Sequence, residues 1–283
     1  MKRREFIQTS SLLAASALAL PSIAFGSRPK FSIGIQLYTL RDVIVNDPKG
    51  VLKKIADAGY QTLETYSYSD GSIFGMSYSD FSKYANSLGL KITSGHYGLA
   101  MAKEDKWEKA VADAKSIGQE YMVVPYLNAP ERTTINDYKG ICAALNKAGE
   151  VCNKYGIRFG YHNHDFEFKA VEGQIPYDVM LKELDPKNVG MEMDLYWVVA
   201  AGFDPATYFS KYPGRFEQWH VKDMDKEDKT KNAVVGTGSI DFKSLFAKAS
   251  QAGLKSFYVE QETYKGPSID CIKPSADYLK TIV

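Results

Sequence analysis

The sequence predicts an α/β protein built as a single eight-stranded (β/α)8, or TIM, barrel, and three observations predict it. Short β-type runs alternate with helical patterns about every thirty residues, as consecutive βα units do. Eight such units are present, and a chain of 283 residues leaves no surplus for a second domain beside a barrel of about 250 residues. The four histidines of the chain all fall at or near the C-terminal ends of the predicted strands, the end at which such barrels carry their active sites.

The predicted strands are 31–39, 61–66, 91–97, 121–126, 157–164, 189–197, 216–223 and 256–263. Between them, helical periodicity runs through 48–58, 103–117, 138–154 and 242–252, and Gly59, Gly118, Gly156 and Gly253 read as C-caps. The loop 226–238, rich in Lys and Asp, reads as a solvated lid or flap. No internal repeat beyond the βα unit and no linker is visible, so residues 28–283 form one predicted domain.

The first 27 residues differ in kind. Lys2, Arg3 and Arg4 precede an apolar run from Leu12 to Leu20 that continues past Pro21 to Ala24, and Ala24 and Gly26 stand before a cut near Ser27. Adjacent arginines followed by Glu5-Phe6-Ile7 resemble the twin-arginine export signal, an alternative to an ordinary secretory signal. The expectation is a periplasmic protein with the signal removed and no stable membrane insertion. Lys+Arg 35 against Asp+Glu 34 gives a formal charge of +1, which favours no nucleic acid, anionic membrane or acidic partner. Cys142, Cys152 and Cys271 include no close pair, so they read as fillers rather than disulfides or metal ligands.

Parity along the strands separates helix-facing from interior positions. In the fifth strand Ile157, Phe159 and Tyr161 face helices, leaving Arg158, Gly160, His162 and His164 inward. The same reading turns Glu192 and Asp194 inward from the sixth strand, Gln218, His220 and Lys222 from the seventh, Tyr258, Glu260 and Glu262 from the eighth, and Glu64 with Tyr66 from the second. Buried carboxylates and imidazoles need partners, and a divalent cation satisfies them together. The expected ligands are His162, Asp194, His220 and Glu260, and their chemistry suits Mn, Zn, Co or Mg. The alternative is a metal-free network in which His220 pairs with Asp194 or Glu192.

At these residues the sequence resembles the xylose-isomerase-like superfamily, the sugar phosphate isomerase/epimerase group. The resemblance rests on Gly34-Ile35-Gln36-Leu37-Tyr38, Met193-Asp194, Trp219-His220-Val221-Lys222-Asp223, Val259-Glu260 and the segment 236–242. It implies a metal held from strands five to eight, with Asp194, His220 and Glu260 matching three of the four ligands. The first departs: where relatives often show Glu-Asn-His, this chain reads His162-Asn163-His164. Glu167, or else Glu192, is a substitute for the missing carboxylate. Members resembling inosose dehydratase also carry a histidine run there.

The resemblance implies proton abstraction next to a sugar carbonyl, with Glu260 as base and His164 or Lys222 passing protons to or from oxygen. The alternatives are an ion pair of Lys222 with Asp223 or Glu192, and a purely orienting His164. Tyr38, Glu64, His96 and Trp197 are expected at the mouth as partners of a carbohydrate. Isomerisation or epimerisation of a non-phosphorylated sugar is the leading outcome. A lyase or hydratase acting on a keto-sugar or 3-keto-glycoside is one alternative, and a non-catalytic periplasmic carbohydrate-binding protein is another. Pairing of barrels into a homo-oligomer is left open.

Overall fold

A computed structural model describes residues 31–283, which form one compact unit; the export signal expected over residues 1–27 lies outside the described residues. Its framework is β1 Ile33–Gln36, β2 Thr62–Thr65, β3 Lys91–Gly95, β4 Tyr121–Val124, β5 Arg158–His162, β6 Val189–Asp194, β7 Gln218–Val221 and β8 Ser256–Val259. The strands run parallel in the order β3-β2-β1-β8-β7-β6-β5-β4. The seam between β3 and β4 is joined by Glu120 N–H to Thr93 O at 3.0 Å and Tyr97 N–H to Val123 O at 2.8 Å, which nearly closes a (β/α)8 barrel. Among the described residues no helix is long and apolar enough to cross a membrane.

Alternation does what the sequence pattern requires. Val189, Met191 and Met193 pack outward under the helices, while Glu192 and Asp194 turn inward, all of them buried. Register then sets inward residues side by side, His162 next to Glu192 and Asp194 next to His220. Helices are fixed by local signals. In Pro48–Ala58 the Asp47 side chain accepts the Gly50 N–H, proline occupies the first turn, and Val51, Leu52, Ile55 and Ala58 face the core. Gly59 ends it at φ +93°, a conformation that favours a residue without Cβ.

The predicted strands run too far at their C-terminal ends. After β1 the Gln36 side chain accepts the Tyr38 N–H and starts a 3-10 turn, Leu37–Leu40. After β6, Asp194 caps the helix Leu195–Ala200, so Trp197 is helical. The predicted helix 242–252 is broken into Phe242–Phe246 and Ala249–Ala252. The loop 226–238 is not the free flap expected. Asp223–Met224 pairs with Asn232–Ala233, and the Asp223 carboxylate accepts the N–H groups of Met224, Gly236, Gly238 and Ile240. That pin explains the segment 236–242, because a Cβ at Gly238 would lie 2.3 Å from Asp223 Oδ1. The three cysteines are buried and free.

The barrel interior explains Gly34. A Cβ there would meet the Phe257 carbonyl and the Tyr258 ring, each at 2.5 Å. Backbone cannot rotate away as a side chain can, so Gly34→Ala is expected to destabilise by about 1–3 kcal/mol in urea unfolding, the usual cost of overpacking. An unchanged midpoint would show that β1 and β8 are not in close contact.

Candidate active site

Two buried glutamates stand behind the imidazoles. Glu64 accepts Ser94 Oγ–H at 2.6 Å and Gln36 Nε2–H at 2.8 Å, and its Oε2 lies 2.5 Å from His220 Nε2 and 3.2 Å from His96 Nε2. Glu192 Oε2 lies 2.9 Å from His96 Nε2 and 3.0 Å from His162 Nδ1. Each histidine is therefore gripped at one nitrogen. The other nitrogen of His220, Nδ1, lies 3.2 Å from Glu260 Oε2, and His162 Nε2 lies 3.9 Å from Asp194 Oδ2. This is how carboxylates behind metal-ligating imidazoles orient them.

Asp194 divides its oxygens by the same logic. Oδ1 accepts the Trp197 N–H at 3.0 Å as the helix cap, which leaves Oδ2 facing Lys222 Nζ at 3.2 Å. Lys222 Nζ is also 2.8 Å from Glu260 Oε2 and bonds the Glu262 carboxylate. The ammonium thus engages Asp194, Glu260 and Glu262, and neither Asp223 nor Glu192.

Burial pulls the charges in opposite directions and the ion pairs decide. It acts against the ionised form of Glu260, yet Lys222 and His220 hold that carboxyl below the usual carboxylate range. Burial likewise opposes a charge on His96, but Glu64 and Glu192 raise it to about 9. Burial and the Glu64 charge push Glu192 up to about 7. His164, desolvated and facing Lys222, drops to about 3 and is neutral at ordinary pH.

The donor set fits a divalent cation. Ligand atoms of Asp194, His220 and Glu260 lie within 4.8 Å of one another, and so do those of His96, His162, Glu192 and His220. The expected quartet is thereby divided: three members share one focus, and His162 joins the second group through Glu192. Both foci include His220.

Above this floor opens a cavity of about 590 Å³. Tyr38, His96, His162, His164, Trp197 and Glu260 line it, among the residues singled out from sequence. Glu64 does not. It is fully buried and committed to Gln36, Ser94 and two histidines, so it supports the site from behind instead of meeting a hydroxyl at the mouth. Glu167 is also displaced from the role expected of it. Its carboxylate accepts the Tyr161 O–H, on the helix-facing side of β5, and the His164 N–H at 2.9 Å. Sequence reasoning missed Gln36, which inward parity in β1 would have found, and Ser94, which parity would not, because an irregularity in β3 turns both Thr93 and Ser94 inward. It also missed Tyr126 and Phe166, which line the cavity from beyond strand ends.

A (β/α)8 barrel with carboxylates and imidazoles converging at the C-terminal ends of its strands defines the class of protein. Residues 52–282 match the family described as xylose isomerase-like TIM barrel, and the chain belongs to it. It is 22% identical over 273 residues to an inosose dehydratase of Geobacillus kaustophilus, covering 82% of this chain and 86% of that one. A sugar phosphate isomerase/epimerase from Parabacteroides distasonis superposes with a TM-score of 0.78 at 32% identity, covering 89% of this chain and 98% of that chain. The IolI protein, solved with a bound zinc atom, shares the fold with a TM-score of 0.70 at 15% identity, covering 89% of this chain and 98% of that chain.

Burial raises Glu167 to about 7, above the value of about 4.3 for an unfolded glutamate. A carboxyl raised in the folded state contributes stability that is complete below the unfolded value and is lost as pH climbs through the folded one. Between pH 4.5 and 7.5 wild type should lose about 3 kcal/mol relative to Glu167→Gln. Thermal melts across that range check it, and parallel profiles would mean that Glu167 is ionised throughout.

Proposed function

We propose that this protein is a divalent-metal-dependent enzyme that removes a proton next to the carbonyl of a non-phosphorylated sugar derivative. The observation that carries the reading is the convergence of Asp194, His220 and Glu260 at one focus, beneath a cavity of sugar-accommodating size. Asp194, His220 and Glu260 would hold the ion, with His162 Nε2 approaching from β5. Bound there, Mn, Zn, Co or Mg supplies Lewis acidity worth several kcal/mol at a carbonyl or hydroxyl oxygen. The zinc in the IolI neighbour and the curated relatives named inosose dehydratase support this assignment.

The chain's own groups divide the remaining work. Glu260 stays ionised and offers an oxygen as proton acceptor. Lys222, expected to pass protons, is buried beneath the cavity and does not line it; held by three carboxylates, it acts from below on the charge of Glu260. His164 is neutral, and Glu167 fixes its backbone at the wall. The cavity lining contains Asp165, Glu260 and Glu262 but no Lys or Arg, which opposes a phosphate and suits a neutral polyol.

Epimerisation needs an acid/base group on each face of the carbon. Here Glu260 and Glu262 lie together on the β8 side, and the β5 side offers His162 and His164 instead of the second glutamate. That distribution favours one-sided proton removal followed by loss of a β-oxygen, a lyase outcome. Isomerisation or epimerisation is the second reading, supported by the isomerase/epimerase neighbours. Export to the periplasm, from the basic and apolar residues 1–27, accords with a free or oxidised sugar.

Metal analysis of wild type beside His220→Ala and Glu260→Ala is expected to show about one ion per chain in wild type and its loss in both variants. Retention in both variants, or none in wild type, removes the metal from the reading. Solvent deuterium exchange into a panel of keto-sugars then separates the outcomes: unsaturated product signals elimination, and labelled sugar of unchanged composition signals isomerisation or epimerisation. A metal-free protein with no exchange on any substrate would leave the binding-protein alternative.

A further inference from the structure

The cavity has two kinds of surface, and the proposed chemistry uses only one. Its floor is polar. Its rim is built from aromatic side chains in two sectors of the barrel that lie across from each other. On one side Tyr38, after β1, meets Tyr66, after β2, edge to face at 5.2 Å. On the other, Tyr126, after β4, stands edge-on to Phe166, after β5, at 5.3 Å, with His164 bridging Phe166 and Trp197 at 5.6 Å to each.

Three features mark this rim as a binding surface instead of surplus core. Among the described residues only three large hydrophobic side chains are exposed, and two of them, Tyr38 at 38% and Tyr126 at 45%, stand on opposite sides of this one cavity. Ser67, which follows Tyr66 and lines the cavity, holds φ at +64°, a conformation a non-glycine residue adopts when its surroundings impose it. Both walls are also braced from outside. The Arg41 guanidinium lies 4.6 Å from the Tyr38 ring centre, and that of Arg132 lies 3.5 Å from the Phe166 ring centre. Arg41 is further tied to Glu262 O at 2.7 Å and Arg132 to Leu127 O at 2.9 Å, so neither hangs free to bind an anion.

Volume points the same way. One hexose occupies roughly 200 Å³ at protein packing density, whereas the cavity holds about 590 Å³. A single sugar ring over the polar floor leaves the aromatic rim uncovered.

We propose that the rim is a second subsite, which takes the next ring of a glycoside, so that the substrate is a disaccharide or aryl glycoside rather than a free monosaccharide. This rests on the sugar reading above and names the substrate class within it. The C–H faces of a pyranose, or an aglycone ring, pack between the Tyr38/Tyr66 wall and the Tyr126/Phe166 wall while the first ring's hydroxyls reach the floor.

Equilibrium binding tests the subsite without requiring turnover. Glucose, cellobiose and phenyl β-glucoside are titrated into the metal-loaded protein by calorimetry, with tryptophan fluorescence as a second signal. Cellobiose or phenyl glucoside should bind at least about tenfold more tightly than glucose, and Tyr126→Ala and Tyr66→Ala should each shrink that ratio several-fold. Thermal melts of both variants keep the comparison among folded proteins. Equal affinity for one ring and two, or a ratio unmoved by either substitution, overturns the subsite even if the protein turns over keto-sugars. A two-ring preference that both substitutions erase establishes it even if deuterium exchange fails for every keto-sugar, in which case it is the chemical reading that falls.

Discussion

Everything at the centre of this barrel depends on burying Glu64 and Glu192 behind His96, His162 and His220. A carboxylate placed there alone costs several kcal/mol, and so does an imidazolium. Placed together, with Gln36 and Ser94 satisfying the outer lone pairs of Glu64, they stabilise one another and fix which nitrogen of each ring faces forward. The geometry of Asp194 and Glu260 has meaning only because His220 Nδ1 is held towards them. Removing either glutamate would release a ring and strand a charge.

Much of this could be read from the chain. Period-two alternation in β5 to β8 assigned the inward residues because parallel barrel strands are buried on both faces, and their polar residues therefore stand out against Val, Met and Phe. Strand ends were less legible. Gln36 and Asp194 stop their strands by accepting backbone N–H groups two or three residues ahead, and such side-chain competition leaves no mark in a hydrophobic pattern. The same difficulty misplaced Glu167. Its position after β5 suggested the cavity, but a turn at Asp165–Phe168 swings it under Tyr161.

Lys222 shows where parity informs and where it falls short. Inward placement from β7 was readable, as was that of Asp194, Glu260 and Glu262, but not their pairing with Lys222, because Glu262 lies beyond the end of β8 and reaches the ammonium only through the course of the chain after Val259. That course is itself held: the Glu262 N–H donates to Asn232 Oδ1, and the Asn232 N–H donates to Thr263 Oγ1. The hairpin carrying Asn232 is in turn anchored by Asp223. A segment that looked like a charged flap thus positions a carboxylate against the lysine at the floor of the site.

Charge balance follows from this arrangement. Lys222 already neutralises part of the field of Asp194, Glu260 and Glu262, and His220 is raised well above its ordinary value because burial is outweighed by Glu192, Glu260 and Glu64. A divalent ion held there, as proposed, would share the carboxylate oxygens with an ammonium and the imidazole nitrogen with a proton. Coordination requires an unprotonated imidazole nitrogen, so such an ion would compete with a proton at His220 Nδ1 and with the ammonium at the two carboxylates. Lys222 and the imidazoles are in this sense a resident counter-charge: they permit the carboxylates to be buried in the first place.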